Sequence, residues 1–431
     1  MKDSGVPWIG NIPVDWNISI VLSEFEEVKN INKGMVEKNL LSLSYGNIVR
    51  KEINSNNGLL PDSFETYNII PQNSIVLRLT DLQNDKRSLR SAICNEQGII
   101  TSAYTTIRLK SDIENHPQYM NYLFRCYDDC KVFYGLGNGV RQSINYSELK
   151  RVAILKPSYN CQMQIARYLD TKCTQIDTII AKEQSVIEKL QEYKRAIITN
   201  AVVKGLDLTV EMADSGIEWI DSIPNHWKIN RLIFSAYIRA RLGWKGLKAD
   251  EYTSEGHPFL SAVNIQNDKL VWEDLNFIND NRYDESPEIK LELGDVLLVK
   301  DGAGIGKCAI VDQLPYGTAT TNSSLGVITP YSELNSMYLY YFFESAIFQN
   351  YISRIKNGMG VPHLTQGNLK NIMVVIPPYC EQEAIVAYLV DKCSNLDSII
   401  LKKQSIIEKL NEYKKSLIYE VVTGKKEVPH V

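Results

Sequence analysis

The feature that most constrains this chain is an internal repeat. Pro157 to Val202 aligns without gaps on Pro377 to Val422, an offset of 220, with identity at 23 of 46 positions. The shared core reads IARYLDTKCTQIDTIIAKEQSVIEKLQEYKRAII in one copy and IVAYLVDKCSNLDSIILKKQSIIEKLNEYKKSLI in the other. A shorter pair precedes each copy: GVPWIGNIPVDW (Gly5 to Trp16) and, 211 residues later, GIEWIDSIPNHW (Gly216 to Trp227). A repeat of this kind sets architecture more firmly than local propensity, because both copies must fold into the same unit. The stretches between these landmarks, 17–156 and 228–376, resemble each other sparsely. Both close on a related phrase, GNGVRQSINYSELK (Gly137 to Lys150) and GMGVPHLTQGNLK (Gly358 to Lys370). The chain is therefore expected to divide into a globule at 1–156, a helical repeat at 157–205, a second globule at 206–376 and a second helical repeat at 377–431.

Periodicity places the helices. Gln162 to Lys172 is a short amphipathic stretch, and Thr174 with Asp177 three residues on predicts the cap of a new helix. From there Ile176, Ile179, Ile180, Val186, Ile187, Leu190, Tyr193, Ile197 and Ile198 recur at spacings of three and four. Leu396, Ile399, Ile400, Ile406, Ile407, Leu410, Tyr413, Leu417 and Ile418 repeat the series. Gly205 and Gly424 are natural stops. Each long helix would run about 30 residues, or roughly 45 Å. A stripe that long needs another helix to cover it. With a globule threaded between the copies, antiparallel packing of one on the other is the simplest solution and places the globules toward opposite ends. A parallel pairing, or pairing between chains, would cover the stripe as well.

The globules read as β-rich with some helix. Ser74 to Leu79, Thr105 to Leu109, Asp295 to Val299 and Cys308 to Val311 are short β-branched runs bounded by turn formers. Pro117 to Phe133 and Ser336 to Ile352 carry helical spacing. An α+β class follows. A chain of 431 residues also exceeds what one hydrophobic core organises. No apolar run reaches the roughly 18–20 residues of a membrane helix, and the start lacks a basic segment followed by an apolar one, so a cytoplasmic protein is expected. The eight cysteines form no CxxC pair and the five histidines lack zinc spacing, which predicts reduced thiols and no metal.

A net charge of −4 argues against a uniformly basic nucleic-acid binder. Local clustering says more. Residues 228–248 hold Lys228, Arg231, Arg239, Arg241, Lys245 and Lys248 beside Trp244, with no acid among them. This suits a phosphate track, and a solvated face explains it equally.

Three near-matches to catalytic motifs fail on chemistry. Asp301 to Cys308, DGAGIGKC, has three residues rather than four between Gly302 and Gly306, and a cysteine where a hydroxyl would hold magnesium. The same glycines miss the dinucleotide spacing, so a tight turn between two strands explains them. Ile376-Pro-Pro-Tyr379 resembles the tetrapeptide of amino-methyltransferases, but isoleucine cannot hydrogen-bond the amino group being methylated. A strand exit before a helix is the better reading. With no nuclease or Ser/His/Asp arrangement, the residues point away from an enzyme.

Taken together, these motifs resemble those of the specificity subunits of Type I restriction–modification systems. They are the W-I-G-x-I-P-x-x-W opening and its second copy, the DGAGIGK turn, P-x-Y-x-x-Q-x-x-I-x-x-Y-L entering each helix, the I-E-K-L-x-E-Y-K helix, and the V-V-x-G exit. The resemblance spans nearly the whole chain. It implies two target-recognition domains separated by two helical repeats packed as an antiparallel coiled coil. It also implies sequence-specific binding of double-stranded DNA, each domain reading half of a bipartite asymmetric target. Two modification subunits would dock on the helices, with restriction and translocase subunits completing the complex. No cofactor is expected in this chain; S-adenosylmethionine, ATP and magnesium would belong to those partners. Two rival readings are a fused restriction–methylation enzyme fragment and a non-DNA coiled-coil adaptor. The side chains expected to meet DNA are Tyr45, Asn47, Arg78, Lys86, Arg87, Arg90, Tyr104, Arg141 and Gln142 in the first globule. In the second they are Arg239, Arg241, Trp244, Lys245, Lys248, Asn264, Lys300, Lys307, Asn322, Ser323 and His363.

Overall fold

Short β-branched runs become strands because branched side chains pack well on a pleated, half-buried surface. A computed structural model describes residues 1–52, 63–82, 89–136, 143–240, 247, 251–302, 304–357 and 363–429. The first globule contains β1 (Asn17–Ile20), β2 (Phe25–Glu27), β3 (Ile75–Leu77), β4 (Ser91–Ile93), β5 (Thr105–Leu109) and β6 (Ala153–Lys156). Its main sheet has the order β2-β5-β3-β4, all antiparallel, and β1 pairs separately with β6. The second globule contains β7 (Lys228–Arg231), β8 (Ala236–Arg239), β9 (Val296–Val299), β10 (Cys308–Ile310), β11 (Leu325–Pro330) and β12 (Met373–Ile376). It repeats the plan, with order β8-β11-β9-β10 and β7 on β12. The two globules share a topology that their sequences barely share.

The main helices are α1 (Pro117–Asp129), α2 (Tyr159–Lys204), α3 (Ser336–Glu344), α4 (Ala346–Asn357) and α5 (Tyr379–Val422). The expected break at Thr174 is absent: α2 runs 46 residues without interruption, and α5 runs 44. Buried Cys173 and Ile176 carry the apolar stripe through that point, so the cap-like Thr174 sits on the exposed face of a continuing helix. The stretch Ser336 to Ile352, expected as one helix, is two. Ser345 leaves the helical conformation, its hydroxyl lying 2.6 Å from the Phe342 carbonyl and accepting from the Phe348 amide at 3.3 Å. Both glycine stops hold, with φ of +75° at Gly205 and +70° at Gly424.

The chain forms two units, Met1–Gln184 with Ser405–Val431, and Ser185–Gln404. Each combines one globule with half of each long helix. In the first unit the repeated opening motif seats the end of α5: a Cβ on Gly424 would lie 2.4 Å from Pro13 Cδ and 3.1 Å from the Trp16 ring. The Tyr119 hydroxyl lies 3.2 Å from the Leu155 carbonyl and 3.4 Å from that of Val422. Pro13, Trp16, Cys161 and Ile165 line one small cavity with Val421 and Gly424, so the start of α2 meets the end of α5. Farther along, Lys414 Nζ reaches both Asp177 oxygens at 2.6 Å. The helices therefore run antiparallel in this unit.

The second unit uses the equivalent residues. Trp227 seats Gly205, whose Cβ would lie 3.0 Å from the indole, and donates from Nε1 to Glu381 Oε2 at 2.9 Å. The Tyr338 hydroxyl lies 3.0 Å from the carbonyls of Val202 and Val375. Lys194 pairs with Asp397 at 2.7 Å, which again makes the helices antiparallel. Solvated pairs of this kind contribute about 0–1 kcal/mol each, so they mark the register more than they stabilise it. Burial of Ile198, Val202, Ile385 and Leu389 does more, at about 1.5–3 kcal/mol per side chain.

One partner helix does not cover the whole stripe. Ile179, Val186 and Tyr193 remain 44%, 38% and 58% exposed, and their offset counterparts Ile399, Ile406 and Tyr413 remain 42%, 43% and 52% exposed. The spacing of seven keeps each trio on one face.

A groove of about 660 Å³ in the second unit is lined by Lys194, Asp268, Tyr340, Glu344 and Asp397 among others. Burial, then the Asp268 carboxylate beside it, pushes the Glu344 carboxyl up to about 8, against an ordinary value of 4.5. For an acid raised in the folded state, the stabilising contribution is complete below about pH 4.5 and is lost as pH rises through about 8. Glu344→Gln removes this penalty. The variant should match the wild type in unfolding free energy near pH 4.5 and exceed it by a few kcal/mol, to order of magnitude, above about pH 8. Denaturant unfolding across that range checks it, and a pH-independent difference would contradict it.

Candidate nucleic-acid interface

A sheet end gathers loops because successive strands deliver their connections to the same edge. In the second unit the described residues of the DGAGIGK segment, Asp301, Gly302 and Gly304 to Lys307, lie between β9 and β10, where the glycines predict a strand-to-strand turn. Gly302 and Gly306 have φ of +77° and +90°, and a Cβ on Gly306 would press within 2.8 Å of Ile352. Three more segments converge on it. The Lys300 amide donates to the Ser324 carbonyl at 2.9 Å, and the Leu364 amide donates to the Lys300 carbonyl at 2.8 Å. Asp301 and His363 form an isolated β-bridge. The Asn322 amide donates to the Leu260 carbonyl at 2.8 Å, and the Ala262 amide donates to Ser324 Oγ at 3.2 Å.

This convergence brings together Lys300, Lys307, Asn322, Ser323 and His363 from the expected set. Lys307 and Ser323 are exposed. Lys300 departs from expectation: it is buried, its Nζ lying 3.1 Å from Asp301 Oδ2, so it supports the rim from below, while Asp301 Oδ1 bonds His363 Nδ1. The Asn322 side chain accepts from the Ser324 amide at 2.9 Å, which holds the Ser323 turn outward. Asn264 lies beneath the cluster and is 7% exposed, its Oδ1 accepting from the Ser261 amide at 2.9 Å. It shapes the loop and does not reach solvent.

Arg239 also departs from expectation. It stands at the other end of β9, where its Nη2 meets both oxygens of fully buried Asp295 at 2.7 Å and its Nη1 donates to the Lys290 carbonyl at 2.8 Å. A buried arginine with these partners braces the sheet and faces no ligand. Lys228 and Arg231 of the same basic run are exposed on β7, while Arg241, Trp244, Lys245 and Lys248 lie outside the described residues.

The first unit builds the same rim. The Ile144 amide donates to the Leu79 carbonyl at 3.0 Å, as Leu364 does to Lys300. Arg78 is half-buried there, and its amide donates to the Arg90 carbonyl at 2.8 Å. Arg90 itself is fully buried. Its guanidinium donates to the carbonyls of Arg78, Thr80 and Asp81 at 2.8–3.2 Å, and its amide donates to Asp128 Oδ2 at 3.0 Å. It is a loop brace, so its expected surface role is corrected. Burial raises the Asp128 carboxyl above its ordinary range. Tyr104 is half-buried against Val76, Ile70 and Ile100.

Tyr45 and Asn47 stand on the hairpin between the strands Leu41–Ser44 and Asn47–Arg50, Tyr45 being 82% exposed with φ of +46°. Arg125, which sequence reasoning did not single out, pins this turn by donating to the Gly46 carbonyl at 2.7 Å. Lys86, Arg87, Arg141 and Gln142 lie outside the described residues. Asp301 was also missed as a partner of His363, although an Asp-Gly pair after a buried strand is the turn signal that marks it. Among the described residues no group of three metal-ligating side chains occurs, and no helix is long and apolar enough to cross a membrane.

Comparison with known proteins yields consistent likenesses. Residues 244–412 match the family described as Type I restriction modification DNA specificity domain. The chain is 22% identical over 333 residues to the Type I restriction enzyme MjaVIII specificity subunit of Methanocaldococcus jannaschii, covering 77% of this chain and 75% of that one. It is 25% identical over 207 residues to the Type I restriction enzyme EcoKI specificity subunit of Escherichia coli K12, covering 47% and 44%. A solved chain from work on complex assembly and conformational transition of the type I R-M system superposes with a TM-score of 0.72 at 14% identity, over 96% of this chain and 100% of that one. That likeness extends the two-globule, two-helix fold to a known structure.

Proposed function

This chain belongs to the specificity subunits of Type I restriction–modification systems, and on that premise we propose that each globule reads one half of a bipartite, asymmetric target on double-stranded DNA. The observation that carries the reading is one frame bearing two chemistries. Both units have the same strand order and converging loops, yet the rim presents Arg78 and the Tyr45–Asn47 hairpin in one and Lys307, Asn322, Ser323 and His363 in the other, with Lys300 buried beneath. Direct readout requires this pattern, since positioning contacts are shared while base-edge contacts must differ. Tyr104 belongs with the first set, and Lys86, Arg87, Arg141, Gln142, Arg241, Trp244, Lys245 and Lys248 join the two sets on sequence alone. Neither rival reading, enzyme fragment or adaptor, is favoured.

A specificity subunit is a non-catalytic component. Methylation, with S-adenosylmethionine, is assigned to two modification subunits, and ATP- and magnesium-dependent translocation and cleavage to restriction subunits, all in the cytoplasm. The paired helices serve as spacer, and the two equivalent exposed trios on α2 and α5 suit two copies of one docking partner.

Methylation-sensitive sequencing of DNA from cells carrying the chain with its modification subunit should reveal a two-part, adenine-methylated motif with a fixed gap. A contiguous motif, or methylation independent of this chain, would count against the reading. Adding one heptad to both long helices lengthens each by about 10 Å, or about three base pairs. The gap should change and both half-sites should persist.

A further inference from the structure

At the rim of the second unit, Asp301 occupies an unusual position for a face meant for DNA. Its carboxylate takes Lys300 Nζ on one oxygen, at 3.1 Å, and His363 Nδ1 on the other. The opposite charges of Lys300 and Asp301 offset each other, so the pair makes a poor clamp for phosphate. It is, however, a directional device. A carboxylate accepts and does not donate, so the proton of the neutral imidazole must sit on Nδ1, which leaves Nε2 as a lone-pair acceptor. The His363 side chain is 48% exposed, and the backbone bridge between residues 301 and 363 fixes its base. Asp301 is the charged group on the ring, Lys300 holds its other oxygen, and Lys307 is exposed on the same turn.

We propose that His363 is a specificity-determining residue of the second half-site, accepting at Nε2 a hydrogen bond from the exocyclic amino group of cytosine or adenine, and that Asp301 is the positioning residue that holds it in that tautomer. In the major groove those amino groups are the base-edge donors, so an outward acceptor selects for them and against guanine and thymine. The inference rests on the proposed reading of the globules as half-site readers.

The test uses the assembled complex of chain and modification subunits, with duplexes in which each target base pair is replaced in turn. His363→Ala should lose about tenfold in discrimination at one base pair of the second half-site and nowhere else. Asp301→Asn can donate from its amide to Nδ1, which turns Nε2 into a donor, so preference at that same position should move toward the acceptor edges of guanine or thymine. An equal loss at every position, or full discrimination in both variants, would overturn the proposal. If the wild-type complex itself fails to distinguish a bipartite target, the half-site reading fails first, and separately.

Discussion

Replacing Arg239 with methionine is expected to lower the unfolding free energy by about 3–5 kcal/mol, because it leaves Asp295 ionised in the sheet without a counter-charge. Asp295 is fully buried, and its remaining partners are the Glu292 amide at 2.8 Å and the Thr329 hydroxyl. Those bonds cannot offset a lost guanidinium that touches both oxygens. For a unit of this size the melting temperature should fall by about 10 °C. Pairing the change with Asp295→Leu should recover much of the loss, since an apolar pair avoids the desolvation cost altogether. A drop below about 1 kcal/mol in the single variant would show that the pair is solvated in solution. Once folded, the variant should keep its DNA specificity, which separates a brace from a contact.

Tyr193→Ala with Tyr413→Ala should leave thermal stability unchanged and weaken association with the proposed modification-subunit partner by at least about 30-fold at each site. Both side chains are more than half exposed, so the fold does not depend on them. Large aromatic side chains on an exposed helix face are common anchors of interfaces, and here each tyrosine shares its face with two exposed aliphatic side chains. The single variants should each bind one partner copy and the double variant none, read as stoichiometry by sedimentation or mass photometry. Full occupancy in the double variant would place docking elsewhere on the chain.

Much of this was legible in the sequence. Helix stops at Gly205 and Gly424 were visible because only glycine reaches positive φ without strain. The strand Thr105–Leu109 appears with the expected bounds, and the Pro377-Pro378 pair separates a strand from a helix as read. The continuous run of α2 through Thr174 was not visible. A capping pattern is local, whereas the buried stripe that overrides it acts through residues on another part of the chain. The site shows the same divide. Polar loop residues such as Lys307, Ser323 and His363 do face outward, yet Arg90, Arg239 and Asn264, of equally polar type, are turned inward. A side chain's charge says what partner it needs but not whether that partner is water, nucleic acid or a buried carboxylate.

The repeat by itself determined that two like helical segments had to find equivalent partners, and that the divergent stretches between them had to be separate globules. Only tertiary structure decided that the globules share one strand order, because very different apolar sequences satisfy the same pleated core as long as volume and alternation are kept. It also decided which polar groups were available for function. Asp301 and His363 stand 62 positions apart, and their bond exists because a sheet end brings their two loops to one place.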